Sequence, residues 1–181
     1  KSVLAIGLSA LFIIGYVWFR FKALSGLSAG VMAVMALVHD VLFVFFVFVW
    51  FNIPLNDAYV AVTLTIIGYS INDTIVLYDR IRENKNKSGK KLDIGELISE
   101  SITETLSRSI NTSVTTLMCV LSILVFSILY GIDSIKVFAL PMLFGLISGC
   151  YSSVCIAGPL WGVWQERKKR RQENQSITKM V

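Results

Sequence analysis

GYSINDTIVLYDRIREN, residues 68–84, carries a carboxylate, Asp73, at the end of a long apolar stretch, and a run of charged residues begins only at Asp79. The length of that stretch predicts a membrane-spanning helix, because about 20 apolar residues cross a bilayer core of about 30 Å. An acid inside such a helix costs about 2.5 to 3.5 kcal/mol on insertion scales. Asp73 is therefore the first candidate for a functional residue.

The composition extends this prediction to the whole chain. Of 181 residues, 55% are hydrophobic and only 16% are charged, which is unlike a soluble domain. Five apolar stretches are long enough to span a bilayer: residues 3–19, 27–51, 58–78, 112–130 and 137–163. Backbone groups in lipid must pair within their own element, and the alternating pattern of a membrane barrel is absent. The expected fold is an all-α, polytopic transmembrane bundle of about five helices.

Basic residues predict the orientation of this bundle, since they concentrate in short cytoplasmic connections. They follow the first, third and fifth predicted spans: Arg20 and Lys22; Arg80, Arg82, Lys85, Lys87, Lys90 and Lys91; Arg167, Lys168, Lys169, Arg170 and Arg171. The other connections, 52–56 and 131–136, contain only Lys136. We expect the N-terminus outside and the C-terminus in the cytoplasm. The net charge of +5 then belongs to solvated membrane flanks rather than to a nucleic-acid site.

Four regions follow: spans one to three (1–78), a cytoplasmic loop with an amphipathic helix (79–107), spans four and five (108–164) and a basic cytoplasmic tail (165–181). Asp93 with Glu96 three residues later predicts a capping box at a helix start. Apolar residues then recur at helical spacing up to Leu106, so this helix is expected on the membrane surface or against the bundle. Cys119, Cys150 and Cys155 lie in predicted spans as packing residues, and no metal site is expected.

Polar residues within the spans form two candidate groups. Asp73 has Ser70 and Thr74 nearby on the third span, and we expect this polar face to point into the protein. On the fourth span a stripe at spacings of four, three, four and three contains Arg108, Thr112, Thr115, Cys119 and Ser122. Arg108 could attract Asp73 while the hydroxyls hold water for proton movement. Alternatively, the small residues only allow close helix packing, and Arg108 anchors the topology.

His39 and Asp40 form a second ionisable pair, in the middle of the second span. A His beside an Asp can relay protons near neutral pH. Adjacent helical residues point about 100° apart, however, so the two side chains are not expected to face each other. The alternative is that each binds a neighbouring helix and serves in packing.

Residues 68–84 resemble the signature of SecF, in the SecD/SecF family of bacterial protein export, which is related to the RND exporters. Further motifs agree: YVWFRF (16–21), AxxALVHD (33–40), LSRSINTSVTTL (106–117) and YSSVCIAGPLW (151–161). The family normally has another helix and a periplasmic domain before the first span predicted here. Together with the absence of an initial Met, this suggests that the chain is part of a longer protein.

The resemblance implies a multi-pass protein of the bacterial inner membrane that works with SecD and uses the proton motive force in late preprotein translocation. Implied partners are SecD, the SecYEG channel, YajC, preproteins and the bilayer; protons are the coupling ion, with no cofactor and no enzymatic activity. Asp73 corresponds to the proton-carrying acid and Arg108 to its basic partner. Pathway neighbours would be Asn72, Thr112, Thr115 and Thr116, and secondary candidates are His39, Asp40, Ser70, Asp79 and Arg80.

Two alternatives remain. One is an RND-type proton-coupled exporter of small molecules, although connections 52–56 and 131–136 are too short to build a substrate route. The other is a passive Sec assembly subunit whose buried charges only tether SecD to the channel.

Overall fold

The helices of this chain are longer than its apolar stretches. The computed structural model describes residues 26–88 and 93–178, together with residues 4, 7, 8, 11, 12, 15, 16 and 19. In the two continuous ranges the helices are α1 (Gly26–Trp50), α2 (Asp57–Ser88), α3 (Ile94–Leu129), α4 (Asp133–Ser152) and α5 (Gly158–Thr178). A π-helical segment, Ser153–Ala157, joins α4 to α5, so these three elements form one continuous rod.

Four helical stretches within the described residues are long and apolar enough to cross a membrane: Ser28–Trp50, Asp57–Lys87, Ile94–Leu129 and Asp133–Gln172. The sequence predicts five spans, and four of them lie within the described residues. The remaining span, predicted over 3–19, falls largely outside the described residues. The all-α membrane bundle is confirmed for the described part of the chain.

Helix α3 is continuous where the sequence predicts an amphipathic helix and a separate span. The polar residues between them include neither Gly nor Pro. Thr112 and Thr115 donate hydrogen bonds to carbonyls four residues earlier, so their hydroxyls are satisfied without ending the helix. Asp93 is the N-cap residue, but it makes no side-chain capping bond, and the predicted capping box is therefore wrong.

The start of α3 lies against the bundle, one of the two placements expected for it. Leu97 and Ile98 are buried in an apolar cluster that includes Tyr78 and Trp161. A second cluster near the opposite end contains Val44, Phe48, Val62, Ile66, Val120, Ala139 and Leu146. On α1, α2 and the rod, buried polar residues fall between the parts that enter these two clusters. The core is therefore two apolar layers separated by a polar layer.

Glycine on the rod allows α2 to approach closely. A Cβ atom added at Gly145 would lie 2.8 Å from Cγ1 of Ile66 and 3.0 Å from Cγ2 of Val44. One added at Gly158 would lie 2.9 Å from Cδ2 of Leu77. Small residues at helix contacts are typical of membrane bundles, where close van der Waals packing holds helices together. This close approach brings the polar residues of α2 and the rod within hydrogen-bonding distance.

Candidate functional site

Asp40 is the centre of the buried polar layer. Its side chain is fully buried on α1 and accepts hydrogen bonds from two other elements. Ser148 donates to Oδ1 at 2.8 Å, while Ser70 and Ser152 donate to Oδ2 at 2.7 and 2.6 Å. These bonds partly replace the hydration that a carboxylate loses on burial. Asp40 therefore ties α1 to α2 and to α4.

The π-helical segment begins next to these contacts. Its first residue, Ser153, donates to the carbonyl oxygen of Ser70 at 3.0 Å and to that of Gly149 at 2.8 Å. Thr74, one turn along α2, donates to the Ser70 carbonyl at 3.1 Å and to Oγ of Ser153 at 3.3 Å. Consecutive serines of the rod, Ser152 and Ser153, thus both contact the polar layer. Single π turns are frequent at functional sites.

His39 does face Asp40, contrary to the expectation from helix geometry. Its Nδ1 lies 3.3 Å from Oδ1 of Asp40, although 41% of the imidazole side chain is exposed. The 100° rotation separates the Cα–Cβ directions, but the imidazole is long enough to turn back to its neighbour. The ring lies near Phe43 and Tyr151, with centroids 6.5 and 6.3 Å away. Asp40 binds neighbouring helices through hydrogen bonds, whereas the His39 ring lies near one aromatic ring of its own helix and one of α4.

Asp73 lies one turn beyond Ser70 on α2, in a different environment. Its side chain is only 5% exposed, and its Oδ2 is buried without a hydrogen-bond partner among the described residues. Most buried polar atoms in proteins have a partner, so an orphaned carboxylate oxygen requires an explanation. The nearby residues Ser70 and Thr74 are buried as expected, but neither of them donates to Asp73. This carboxylate oxygen therefore has unused hydrogen-bonding capacity inside the bundle.

Arg108 lies on α3 near Asp73 without pairing with it. Its guanidinium attracts Asp73 electrostatically, but no ion pair joins the two within the described ranges. A neutral contact links the same helices instead, because the hydroxyl of Tyr69 donates to Oγ of Ser113 at 2.8 Å. Arg108 is exposed on the surface of the described bundle. The attraction can thus change in strength without breaking a direct bond.

Among the described residues, the predicted pathway threonines donate no hydrogen bond to Asp73. Thr112, Thr115 and Thr116 donate to carbonyls of α3 itself, at 2.9, 3.0 and 2.8 Å. The α3 stripe points outward, with Arg108, Thr115, Cys119 and Ser122 exposed. A matching stripe on α2 exposes Ala61, Thr65, Gly68 and Asn72. Both helices therefore leave small and polar residues uncovered at membrane depth.

Asp79 and Arg80 lie at the charged end of the bundle, which we define as residues 79–88 of α2, 94–108 of α3 and the part of α5 after Trp164. Nε of Arg80 donates to Glu104 at 2.6 Å, and its Nη1 donates to Glu83 at 2.7 Å. Asn84 donates to the same oxygen of Glu104 at 2.6 Å. These contacts join α2 to α3 but do not reach Asp73.

Sequence reasoning missed three hydroxyl residues of the site, Ser148, Ser152 and Ser153. Their signal was present: serines four residues apart interrupt the apolar stretch 137–163. A polar residue within a span requires a partner, so these serines indicate a buried polar group on another helix.

Comparisons with known proteins give a consistent result. A family model described as protein export membrane protein SecD/SecF, C-terminal, matches residues 1–167. The chain is 36% identical over 174 residues to the protein translocase subunit SecF of Alicyclobacillus acidocaldarius, covering 94% of this chain and 54% of that protein. It is 43% identical over 167 residues to the SecF subunit of Rickettsia felis, covering 92% and 51%.

A solved structure agrees with these relatives. The crystal structure of SecDF in Super-membrane-facing form is similar, with a TM-score of 0.84 and 36% identity over 96% of this chain and 22% of that one. The chain spans about half the length of the curated relatives it matches.

Proposed function

The chain belongs to the SecD/SecF family of protein export membrane proteins, and we propose that it is the proton-responsive membrane part of a SecF subunit that assists late preprotein translocation. Membership assigns it to protein transport rather than to an enzyme class. The observation that carries the proposal is the buried, unpartnered Oδ2 of Asp73. A carboxylate in this position can take up and release a proton without first losing a hydrogen bond.

Protonation of Asp73 would change the attraction between α2 and α3. Two unit charges more than about 4 Å apart attract by less than about 4 kcal/mol at an effective dielectric constant of about 20. Removing an attraction of even about 1.4 kcal/mol shifts a two-state equilibrium about 10-fold. Arg108 lacks a direct bond to Asp73, so the helices can move apart without first separating a tight ion pair. Asp73 is thus the proton carrier of this proposal and Arg108 its partner.

The exposed stripes of α2 and α3 support SecD as the partner. Lipid is a poor neighbour for Asn72 and Thr115, whereas small and polar residues suit a contact with other helices. A second helical bundle on these stripes would cover Asp73 and Arg108. It would also complete a water-lined route past Asn72, Thr112, Thr115 and Thr116. The SecYEG channel, YajC and preproteins would contact parts of the complex beyond these stripes.

The distribution of basic residues supports the orientation. The charged end carries Arg80, Arg82, Lys85 and Lys87 on α2, and the basic run of α5 extends it. By the positive-inside rule this end faces the cytoplasm of a bacterial inner membrane, with residues 79–107 and the tail on that side. The N-terminus of the chain is then outside. Asp40, with Ser70 and His39, holds α1, α2 and the rod together, and its role is mechanical.

Asp73→Asn tests the proposal. The full-length protein, assembled with SecD and present at equal complex levels, is compared with wild type in preprotein translocation with and without a proton motive force. We expect the force-dependent component to disappear and the remainder to persist, because an amide cannot release a proton. Asp57→Asn, at the exposed start of α2, is the matched control and should leave both components unchanged.

Two results would contradict the proposal. Unchanged force-dependent translocation in an intact complex would make Asp73 structural and favour a passive assembly subunit. Proton-coupled efflux of a dye from vesicles, with no effect on preprotein export, would instead favour a small-molecule exporter.

A further inference from the structure

A polar cleft opens between α2 and α3 at the charged end. It has a volume of about 770 Å³. Its lining runs along α2 from Val76 to Asn86 and along α3 from Glu104 to Arg108. We call the end with Val76 and Arg108 its inner part and the end with Asn86 its mouth. This cleft is separate from the serine layer around Asp40.

The lining of the cleft indicates that it holds water. Three arginines and three acids contribute to it, so neither sign of charge dominates. Such a mixture suits neither an anionic headgroup nor an apolar ligand. Charged side chains are costly to remove from water, so this lining favours hydration of the cleft. The volume far exceeds what a single water molecule needs.

The inner part of the cleft comes close to Asp73. Val76 follows Asp73 by three residues on α2, which is about 4.5 Å along a helix axis. Arg108, which also lines the cleft, attracts Asp73 electrostatically. Toward the opposite end, α2 continues into the buried residues Ser70 and Ile67. Asp73 is not itself part of the lining, but the cleft ends about one helical turn from it on the side of the charged end.

A network of polar contacts fixes one wall of the cleft. Arg80 and Asn84 on α2 both donate to Glu104 on α3, each at 2.6 Å. Asn84 also donates to Ser101 at 3.2 Å. These contacts set the separation of the two helices at this end. The cleft is thus a built feature of the α2–α3 pair.

We propose that this cleft is the cytoplasmic water vestibule through which protons leave Asp73. The inference rests on the proposed function and orientation above. It assigns Val76 to the inner vestibule wall and Asn86 to its mouth. The vestibule gives Asp73 access to one side of the membrane in this conformation, as a carrier that alternates between two sides requires.

Thiol labelling tests the vestibule directly. The full-length protein with SecD is prepared in inverted membrane vesicles after Cys119, Cys150 and Cys155 are replaced by Ser or Ala. Val76→Cys is then treated with a cationic, membrane-impermeant methanethiosulfonate from the exposed cytoplasmic face. A thiol reacts as its thiolate, which needs water, so we expect labelling at least roughly 10-fold faster than at Leu77→Cys or Met118→Cys. Leu77 is buried in the core, Met118 is exposed on the apolar part of α3, and Asn86→Cys confirms reagent access.

Labelled Val76→Cys should also lose force-dependent translocation, whereas treated Met118→Cys should retain it. Labelling of Val76→Cys no faster than that of Met118→Cys would overturn the vestibule, because lipid or SecD would then fill the cleft. If that result came with an inactive Asp73→Asn, the proton carrier would stand and its exit would lie elsewhere. Rapid labelling of Val76→Cys, together with full force-dependent translocation by Asp73→Asn, would show that the cleft contains water but has no role in proton exit.

Discussion

Asp40 and Asp73 are buried acids in the same bundle with opposite surroundings. Asp40 accepts three serine hydroxyl bonds, whereas Oδ2 of Asp73 accepts none from the described residues. A satisfied carboxylate contributes to stability and resists change, while an unsatisfied one is held in place by its surroundings and responds to a proton. These surroundings are the reason that the proposal gives Asp40 a structural role and Asp73 the proton-carrying one.

The structural role of Asp40 predicts the effect of removing it. Asp40→Ala leaves Ser70, Ser148 and Ser152 without their acceptor inside the bundle. Hydrogen bonds between membrane helices average about 0.6 kcal/mol, and a stranded buried hydroxyl costs about 1 kcal/mol or more, so we expect a loss of about 2 to 4 kcal/mol. The measurement is the free energy of unfolding in detergent or bicelles. Asp40→Asn, which keeps one carbonyl oxygen, should lose less.

Asp57→Ala provides the comparison for this residue, since Asp57 is exposed at the start of α2. It should change the free energy of unfolding by less than about 0.5 kcal/mol. Equal stabilities of Asp40→Ala and Asp57→Ala would show that the serine layer does not hold the helices together.

Sequence alone identified Asp73 but not the surroundings of Asp40. An acid within an apolar stretch can be recognised from the sequence alone, because the free-energy cost of inserting it depends only on its depth in the membrane. The partners of Asp40 come from α2 and α4, 30 to 112 residues away in the chain. Helical periodicity says which residues share a face, but not which faces meet. The proton-pathway assignments made from the sequence remain predictions.

At the scale of elements, the position of each span was more predictable than its end. The described helices contain the second to fifth predicted spans, yet α2 continues to Ser88 and α3 begins at Ile94. A fall in hydropathy marks where a helix leaves the lipid, but Arg, Asn, Ser and Thr do not end it. The helices therefore continue past the apolar layer into the charged end, where low hydropathy predicts a loop.

The contact between α2 and the rod predicts a steric effect at Gly145. Gly145→Val places atoms where Ile66 and Val44 already lie, 2.8 and 3.0 Å from the first added carbon. Overpacking of this kind costs about 1 to 3 kcal/mol, and we expect that loss in the free energy of unfolding. Ile66→Ala in the same chain should recover part of it. The double variant should therefore lose at least about 1 kcal/mol less than the sum of the single variants.

Gly68→Ala is the matched control on α2, because an added Cβ there meets nothing within 4 Å. In the isolated chain it should be neutral or stabilise by up to about 1 kcal/mol, the usual gain of Ala over Gly in a helix. Purely additive effects of Gly145→Val and Ile66→Ala would show that the two residues are not in contact.

At the scale of the whole molecule, the bundle has one kind of surface that an isolated membrane protein does not need. Lipid-facing parts of α1 and α3 expose large apolar residues such as Phe46, Leu121 and Phe126. The stripes of α2 and α3 instead expose Gly68, Asn72 and Thr115 near the unpartnered carboxylate. The polar groups that carry the proposed function thus lie where a second bundle would complete their surroundings.

Gly68 lies within the α2 stripe, so its replacement should separate assembly from folding. Gly68→Leu adds a side chain that points away from the described bundle and leaves the fold unchanged, but it prevents close approach of another helix. We expect the free energy of unfolding of the isolated chain to change by less than about 1 kcal/mol, while recovery of SecD in a pull-down from detergent falls at least roughly 10-fold, which corresponds to about 1.4 kcal/mol. Val38→Leu, on an exposed apolar position of α1, should leave SecD recovery unchanged. Full recovery of SecD with Gly68→Leu would place the SecD contact on another face of the bundle.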